Sequence, residues 1–134
     1  MGGIKREACD AWFSDCIRHA AGYRCEHCGK PFPGLVQGFE CAHIYGRRNK
    51  STRWCVGNAV ALCSHCHREF TEHPLDFQHW LQTHLGQGHM DILREKKNQT
   101  FKATASIKRE ISKHYREEFR RMESENTTDL VSYQ

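Results

Sequence analysis

The chain has 134 residues, 38% of them hydrophobic, with a mean hydropathy of −0.77 and a formal net charge of +4. That length suits one domain with an appended arm, and its modest core belongs to the class that metals or disulfides often staple. No stretch approaches the roughly 18 apolar residues of a membrane helix, and Met1 to Glu7 lack the apolar run of a secretion signal. The expected setting is cytoplasmic, without membrane contact, and there the eight cysteines favour metal over disulfide.

Residues 5 to 20 are predicted to form a helix. Cys9, Trp12, Phe13, Cys16, Ile17 and Ala20 recur at three- and four-residue spacing and give one apolar face. Gly22 marks its end. Residues 23 to 67 are turn-rich. Phe39 to Tyr45 and Ala59 to Leu62 read as two strands, with a basic loop between them that carries Arg47, Arg48, Lys50 and Arg53. A helix is expected from about Cys63 to Thr71. Pro74 opens the next one, at a position where its missing N–H costs nothing, and Gly86 and Gly88 close it. A short helical piece is expected over Asp91 to Lys97. The longest helix spans about 104 to 122, where Ile107, Ile111, Tyr115, Phe119 and Met122 form a stripe that suits DNA or a second copy of the chain as partner. Residues 94 to 121 carry ten Lys or Arg against four Glu, among them Lys108, Arg109, Lys113 and Arg116. Such an uneven basic surface attracts a phosphate backbone. The polar, acidic last dozen residues are expected to fray. This divides the chain into a core over 1–88 and a basic helical extension over 89–134.

Two CxxC pairs, Cys25/Cys28 and Cys63/Cys66, stand 34 residues apart. Zinc takes four thiolates in a tetrahedron, and each CxxC turn delivers two sulfurs to one ion without strain. A shell closed by four sulfurs leaves no place for substrate, so the zinc is structural. Cys9, Cys16, Cys41 and Cys55 lack such spacing and read as small core residues. Trp12, Trp54 and Trp80 likewise read as core.

Between the cysteine pairs lies Glu40-Cys41-Ala42-His43-Ile44-Tyr45-Gly46-Arg47-Arg48-Asn49; Asn58 follows, and His67 directly succeeds the second pair. A His, an Asn and a His threaded through a four-cysteine site resemble the HNH endonuclease family. Phe13-Ser14, Ile17-Arg18, Arg53-Trp54 and Phe70-Thr71-Glu72 add a likeness to small phage HNH proteins. The resemblance implies a small α+β fold with a ββα-metal, treble-clef-like core stapled by zinc and flanked by helices. It implies His43 as general base, Asn58 as the residue that holds the His43 loop, and His67 as ligand of one catalytic divalent metal (Mg2+, Mn2+ or Ni2+). It also implies DNA as substrate, 5′-phosphate and 3′-hydroxyl products, and phage DNA-processing partners. The family usually places Asp or His directly before the base as a second metal ligand, where this chain has Ala42. Glu72 and His73 are the candidates to replace it, with His65 behind them. A zinc-stabilised module that binds nucleic acid without cutting is the alternative, and Ala42 is its best support.

Overall fold

The computed structural model describes residues 3–134. Helix α1 covers Ala8–Ala20, strand β1 Phe39–His43, strand β2 Ala59–Cys63, and helices α2 to α5 cover Ser64–Glu72, Pro74–Leu85, Gln87–Lys97 and Ala105–Glu125. A single 3-10 turn, Val56–Asn58, precedes β2. The strands pair antiparallel with Phe39 opposite Cys63, Cys41 opposite Ala61 and His43 opposite Ala59. This is the expected small α+β architecture.

A two-stranded ribbon is marginal alone in water, and here each of its faces is covered. Strand side chains alternate between faces. Phe39 and Ala61 lie in a core with Phe13, Cys16 and Ile17 of α1 and Ile111, Tyr115 and Met122 of α5. Ala42, Val60 and Leu62 lie in a second core with Phe70 of α2, Leu81 of α3 and Met90 of α4.

Most element types follow the sequence expectations, with shifted ends. Helix α1 begins at Ala8 because Asp10 reaches back to accept the Glu7 N–H at 2.9 Å, which satisfies one orphan donor of the first turn. Pro74 does open α3. Gly86 lies between α3 and α4 at φ 93, a conformation glycine adopts without strain. Helix α4 starts four residues before the expected Asp91. Thr104 caps α5 by accepting the Ile107 N–H at 3.1 Å, in the manner of a preferred N-cap residue.

Two expectations are corrected. The stripe of α5 faces neither DNA nor a second copy: Ile111, Tyr115 and Met122 are fully buried against α1 and its surroundings. The first core thus joins the extension to α1 across the 88/89 boundary. The last residues do not fray either. Val131 N–H donates to Glu118 at 2.8 Å, Ser132 Oγ accepts the Val56 N–H at 3.0 Å, and Gln134 Oε1 accepts the Trp54 N–H at 2.8 Å. The tail is polar because it bonds backbone groups of the 44–58 loop.

Candidate active site and metal centre

The four zinc-site cysteines come from two elements. Cys25 and Cys28 lie on a tight turn in which Gly29 takes φ 79 and its N–H donates to the Cys25 carbonyl at 2.9 Å. Cys63 ends β2 and Cys66 lies in the first turn of α2. Their four sulfurs all lie within 4.8 Å of one another, and Cys28 Sγ is 3.8 Å from Cys63 Sγ. A tetrahedron with Zn–S bonds of about 2.3 Å has edges of about 3.8 Å, so the donor set fits zinc. Backbone N–H groups of Cys28 and Cys66 point at Cys25 and Cys63 sulfurs, each at 3.4 Å, and support negative charge on them. His27 Nδ1 lies 3.3 Å from Cys66 Sγ; it touches a ligand sulfur and is no ligand itself.

A cavity of about 510 Å3 runs along β1 between α1 and the start of α2. His43, Glu40, His67, Arg47, Arg18 and Asp10 line it. The His43 ring packs against Phe13 of α1 with centroids 5.6 Å apart. Its Nε2 lies 3.0 Å from the Arg53 carbonyl oxygen. A carbonyl only accepts, so Nε2 carries the hydrogen and Nδ1 keeps its lone pair. Burial holds the imidazole below the ordinary histidine value, the Arg53 carbonyl works against it, and the Arg47 charge works with it.

Asn58 is fully buried. Its Oδ1 accepts the Tyr45 N–H at 2.8 Å and its Nδ2 donates to the Tyr45 carbonyl at 2.9 Å. Ile44 N–H also donates to the Asn58 carbonyl at 2.8 Å. Both backbone groups of the residue two positions after His43 are thus tied to one side chain.

His67 Nδ1 lies 2.7 Å from Glu40 Oε1, and Ser64 Oγ donates to Glu40 Oε2 at 3.1 Å. Strand alternation places Glu40 and His43 on opposite faces, so spacing along β1 does not couple them. Helix α2 brings His67 to Glu40, and this contact completes the site. Glu72 and His73 gather instead with Glu69 in an exposed cluster at the far end of α2, outside the cavity lining. A helix turns 100° per residue, and position 72 lies about 140° around the axis from 67. The structure does not bring them together with His67. His65 is exposed and lines a different cleft, beside Cys28 and Arg68.

The basic residues divide. Arg47 borders the cavity and donates to the Ile4 carbonyl at 2.9 Å; Arg48 and Lys50 are exposed. Arg53 is only 3% exposed, and its Nε and Nη2 bind Asp10 at 2.9 and 2.6 Å. That guanidinium is sequestered and cannot grip a phosphate. Lys108, Arg109, Lys113 and Arg116 share a second groove with Glu7, Ala8 and Cys9 at the start of α1. Lys108 pairs with Glu7 at 2.9 Å, whereas Arg109, Lys113 and Arg116 make no ion pair among the described residues.

A family model described as HNH endonuclease matches residues 25–78, from the first zinc cysteine to just inside α3. Residues 25–78 are thus similar to the HNH endonuclease family. The match contains the four cysteines, His43, Asn58, Glu40 and His67. Comparison of the chain with curated proteins and with solved structures gives no match. That likeness supports a nuclease in general and implies nucleic acid as the class of substrate. No helix is long and apolar enough to cross a membrane. The HNH segment excludes α1 and α5, yet α1 supplies Asp10, Ser14 and Arg18 to the cavity. Asp10 escaped the sequence reading, and Arg18 entered it only through the family likeness, because each is an isolated charge on an amphipathic helix, with no spacing that ties it to His43.

Proposed function

We propose that this protein is a metal-dependent DNA endonuclease that hydrolyses phosphodiester bonds with His43 as general base. The observation that carries this reading is the His43 tautomer: with Nε2–H bonded to the Arg53 carbonyl, Nδ1 is the basic nitrogen in a cavity lined by arginines. A neutral imidazole accepts a proton from water near pH 7. Asn58 keeps the strand end that carries His43 in place through Tyr45. Arg47, at the cavity edge, pairs with a phosphate oxygen next to the scissile bond, and Arg48 and Lys50 contact the backbone further out.

Glu40 and His67 are the residues that would hold the catalytic cation. Their donor atoms stand 2.7 Å apart, close to the roughly 3 Å edge of an octahedron with bonds of about 2.1 Å. Bound there, a divalent cation supplies charge neutralisation at the phosphate and at the leaving oxygen. Glu40 supplies the anionic oxygen that Ala42 lacks. Among the described residues, no third His, Cys, Asp or Glu joins the pair within ligand distance. A shell completed by water suits Mg2+, and Mn2+ or Ni2+ are the softer options. The products are 5′-phosphate and 3′-hydroxyl ends. The competing reading, a zinc-stabilised module that binds DNA without cutting, is favoured only by Ala42, which is buried at 1%.

Plasmid cleavage with Mg2+, Mn2+, Ni2+ or EDTA, beside His43→Ala, Glu40→Gln and His67→Ala, tests the reading. The wild type is expected to cut only with added metal. His43→Ala should lose about 10²–10⁴-fold with full zinc content. Glu40→Gln and His67→Ala should need more metal for half-maximal rate. Salt-sensitive DNA binding with no cleavage under any metal would replace the nuclease by the binding module.

A further inference from the structure

Residues 44–58 leave β1 at His43 and return at Ala59 without strand pairing. A carbonyl in such a loop has no ladder to fix its direction, yet the Arg53 carbonyl is the sole hydrogen-bond partner of the His43 ring among the described residues. What fixes this carbonyl lies outside the HNH segment. Asp10, on α1 and 5% exposed, accepts from Arg53 Nε and Nη2 at 2.9 and 2.6 Å and from Trp54 Nε1 at 3.1 Å. One carboxylate therefore holds the side chains on both sides of the 53–54 peptide bond. The N–H of that peptide donates to Gln134 Oε1 at 2.8 Å. Three residues along α1, Phe13 packs on the imidazole itself. A fork-to-fork Arg–carboxylate pair is directional as well as strong, and its burial removes competing water.

We infer that Asp10 is a positioning residue for the general base: by locking Arg53 and Trp54 it aims the Arg53 carbonyl at His43 Nε2 and leaves Nδ1 as the basic nitrogen. The inference rests on His43 being the base, and it assigns a role in that chemistry to a helix that the family segment does not contain. The Asp10 carboxylate is engaged by Arg53 and Trp54 and lies 3.8 Å from Arg47. It acts through the orientation of one peptide plane, and misplacement of a reacting group by about 1 Å costs on the order of 100-fold in rate.

The test uses the zinc-loaded full chain and two variants, Asp10→Asn and the double replacement Asp10→Leu with Arg53→Met. The second removes the buried pair without stranding a charge, a change that buried pairs often tolerate. Two quantities are read: kcat and KM on DNA, and the His43 tautomer from ring 15N shifts without added catalytic metal or DNA. Wild type is expected to show the Nε2–H tautomer alone. Both variants should show a mixture with Nδ1–H, and kcat should fall on the order of 100-fold at unchanged zinc content, whereas loss of the Asp10–Arg47 contact bears on KM alone. If Asp10→Asn does not fold, the double variant decides. A folded variant with a pure Nε2–H tautomer and wild-type kcat overturns the inference, and so does a double variant that loses its zinc, which would make the pair merely structural. If the wild type cuts nothing, the nuclease reading fails, while the tautomer still reports whether Asp10 orients His43.

Discussion

The zinc turn at 25–30 and the loop at 44–58 are both short and irregular, yet opposite forces hold them. The zinc turn closes on itself: Gly29 N–H bonds Cys25, Cys25 N–H bonds the Lys30 carbonyl at 2.9 Å, and its two sulfurs meet those of Cys63 and Cys66 at the start of α2. The 44–58 loop is held from far away. Asp10 takes Arg53 and Trp54, the Tyr115 hydroxyl donates to the Trp54 carbonyl, and Ser132 and Gln134 take the N–H groups of Val56 and Trp54. A site that needs one fixed ion can be built from local spacing. A site that needs a ring aimed at a water needs a scaffold on several sides, which α1, α5 and the tail supply.

The largest expected effect breaks the local side. A structural zinc contributes apparent free energies of about 10–16 kcal/mol in small domains, far above the few kcal/mol of net stability. Strong chelation, or Cys25→Ser with Cys63→Ser, is expected to unfold the chain. Trp80, stacked on Phe70 with centroids 5.2 Å apart, reports it: its fluorescence should shift toward that of exposed indole. A native-like tertiary signal in zinc-free protein would contradict a structural role for the cluster.

Next comes the long-range side. Asn58→Ala removes both bonds to Tyr45 and leaves a buried amide and carbonyl unpaired. The expected loss is about 2–6 kcal/mol at full burial, from about 1–3 kcal/mol for each group left unsatisfied, and the half-buried Tyr45 places it in the lower half of that range. Removal of Ser132 to Gln134 should cost less, because water can reach part of what the tail covers, but it should slow cleavage while zinc content stays full. Denaturant melts and metal analysis on both variants check this. Equal losses of zinc and activity would erase the distinction between the two loops.

The pH dependence sharpens the comparison without mutation. Burial, helped by Arg47, holds His43 below the usual histidine value; the Arg53 carbonyl and the Asp10 charge oppose the shift. A base whose pKa is lowered stays neutral further into acid. Cleavage should therefore persist below about pH 6.5, the unperturbed histidine value, and fall as pH drops through the lowered value. The same shift acts on stability, because the unfolded chain takes up that proton first, so the His43 contribution is lost from about pH 6.5 downward. An acid limb above pH 6.5 would show that His43 is not the titrating base.

What the sequence reveals follows the same division. The cysteine pairs, Pro74 and the α5 stripe act over four residues or fewer, and their periods are visible in the chain. His43, Asn58 and His67 were legible through the family pattern that surrounds them. Glu40 was not, because its partner His67 comes from another element and no short-range spacing links the two. Arg53 read as a phosphate ligand because its burial depends on Asp10, 43 residues earlier. The tail read as frayed because its polar groups bond a loop some 76 to 80 residues away, which no local composition reveals.

The smallest expected effect concerns the second groove. Lys108 is held by Glu7, whereas Arg109, Lys113 and Arg116 border the same groove without acidic partners among the described residues. With the apolar stripe of α5 spent on α1, exposed charges remain for an outside partner, and a phosphate backbone is the partner they match. Each phosphate contact on duplex DNA contributes about 0.9 to the slope of log affinity against log salt. Replacing Arg109, Lys113 and Arg116 together by Ala should reduce that slope by about two to three and raise KM, with kcat unchanged and Lys108→Ala alone near neutral. The reason is competition: Lys108 must leave Glu7 to reach a phosphate, so its net gain is small, as for exposed ion pairs generally. A triple variant with the wild-type salt slope would confine DNA contact to the arginines around His43, and a triple variant that loses kcat would show that α5 bears on the 44–58 loop rather than on the substrate.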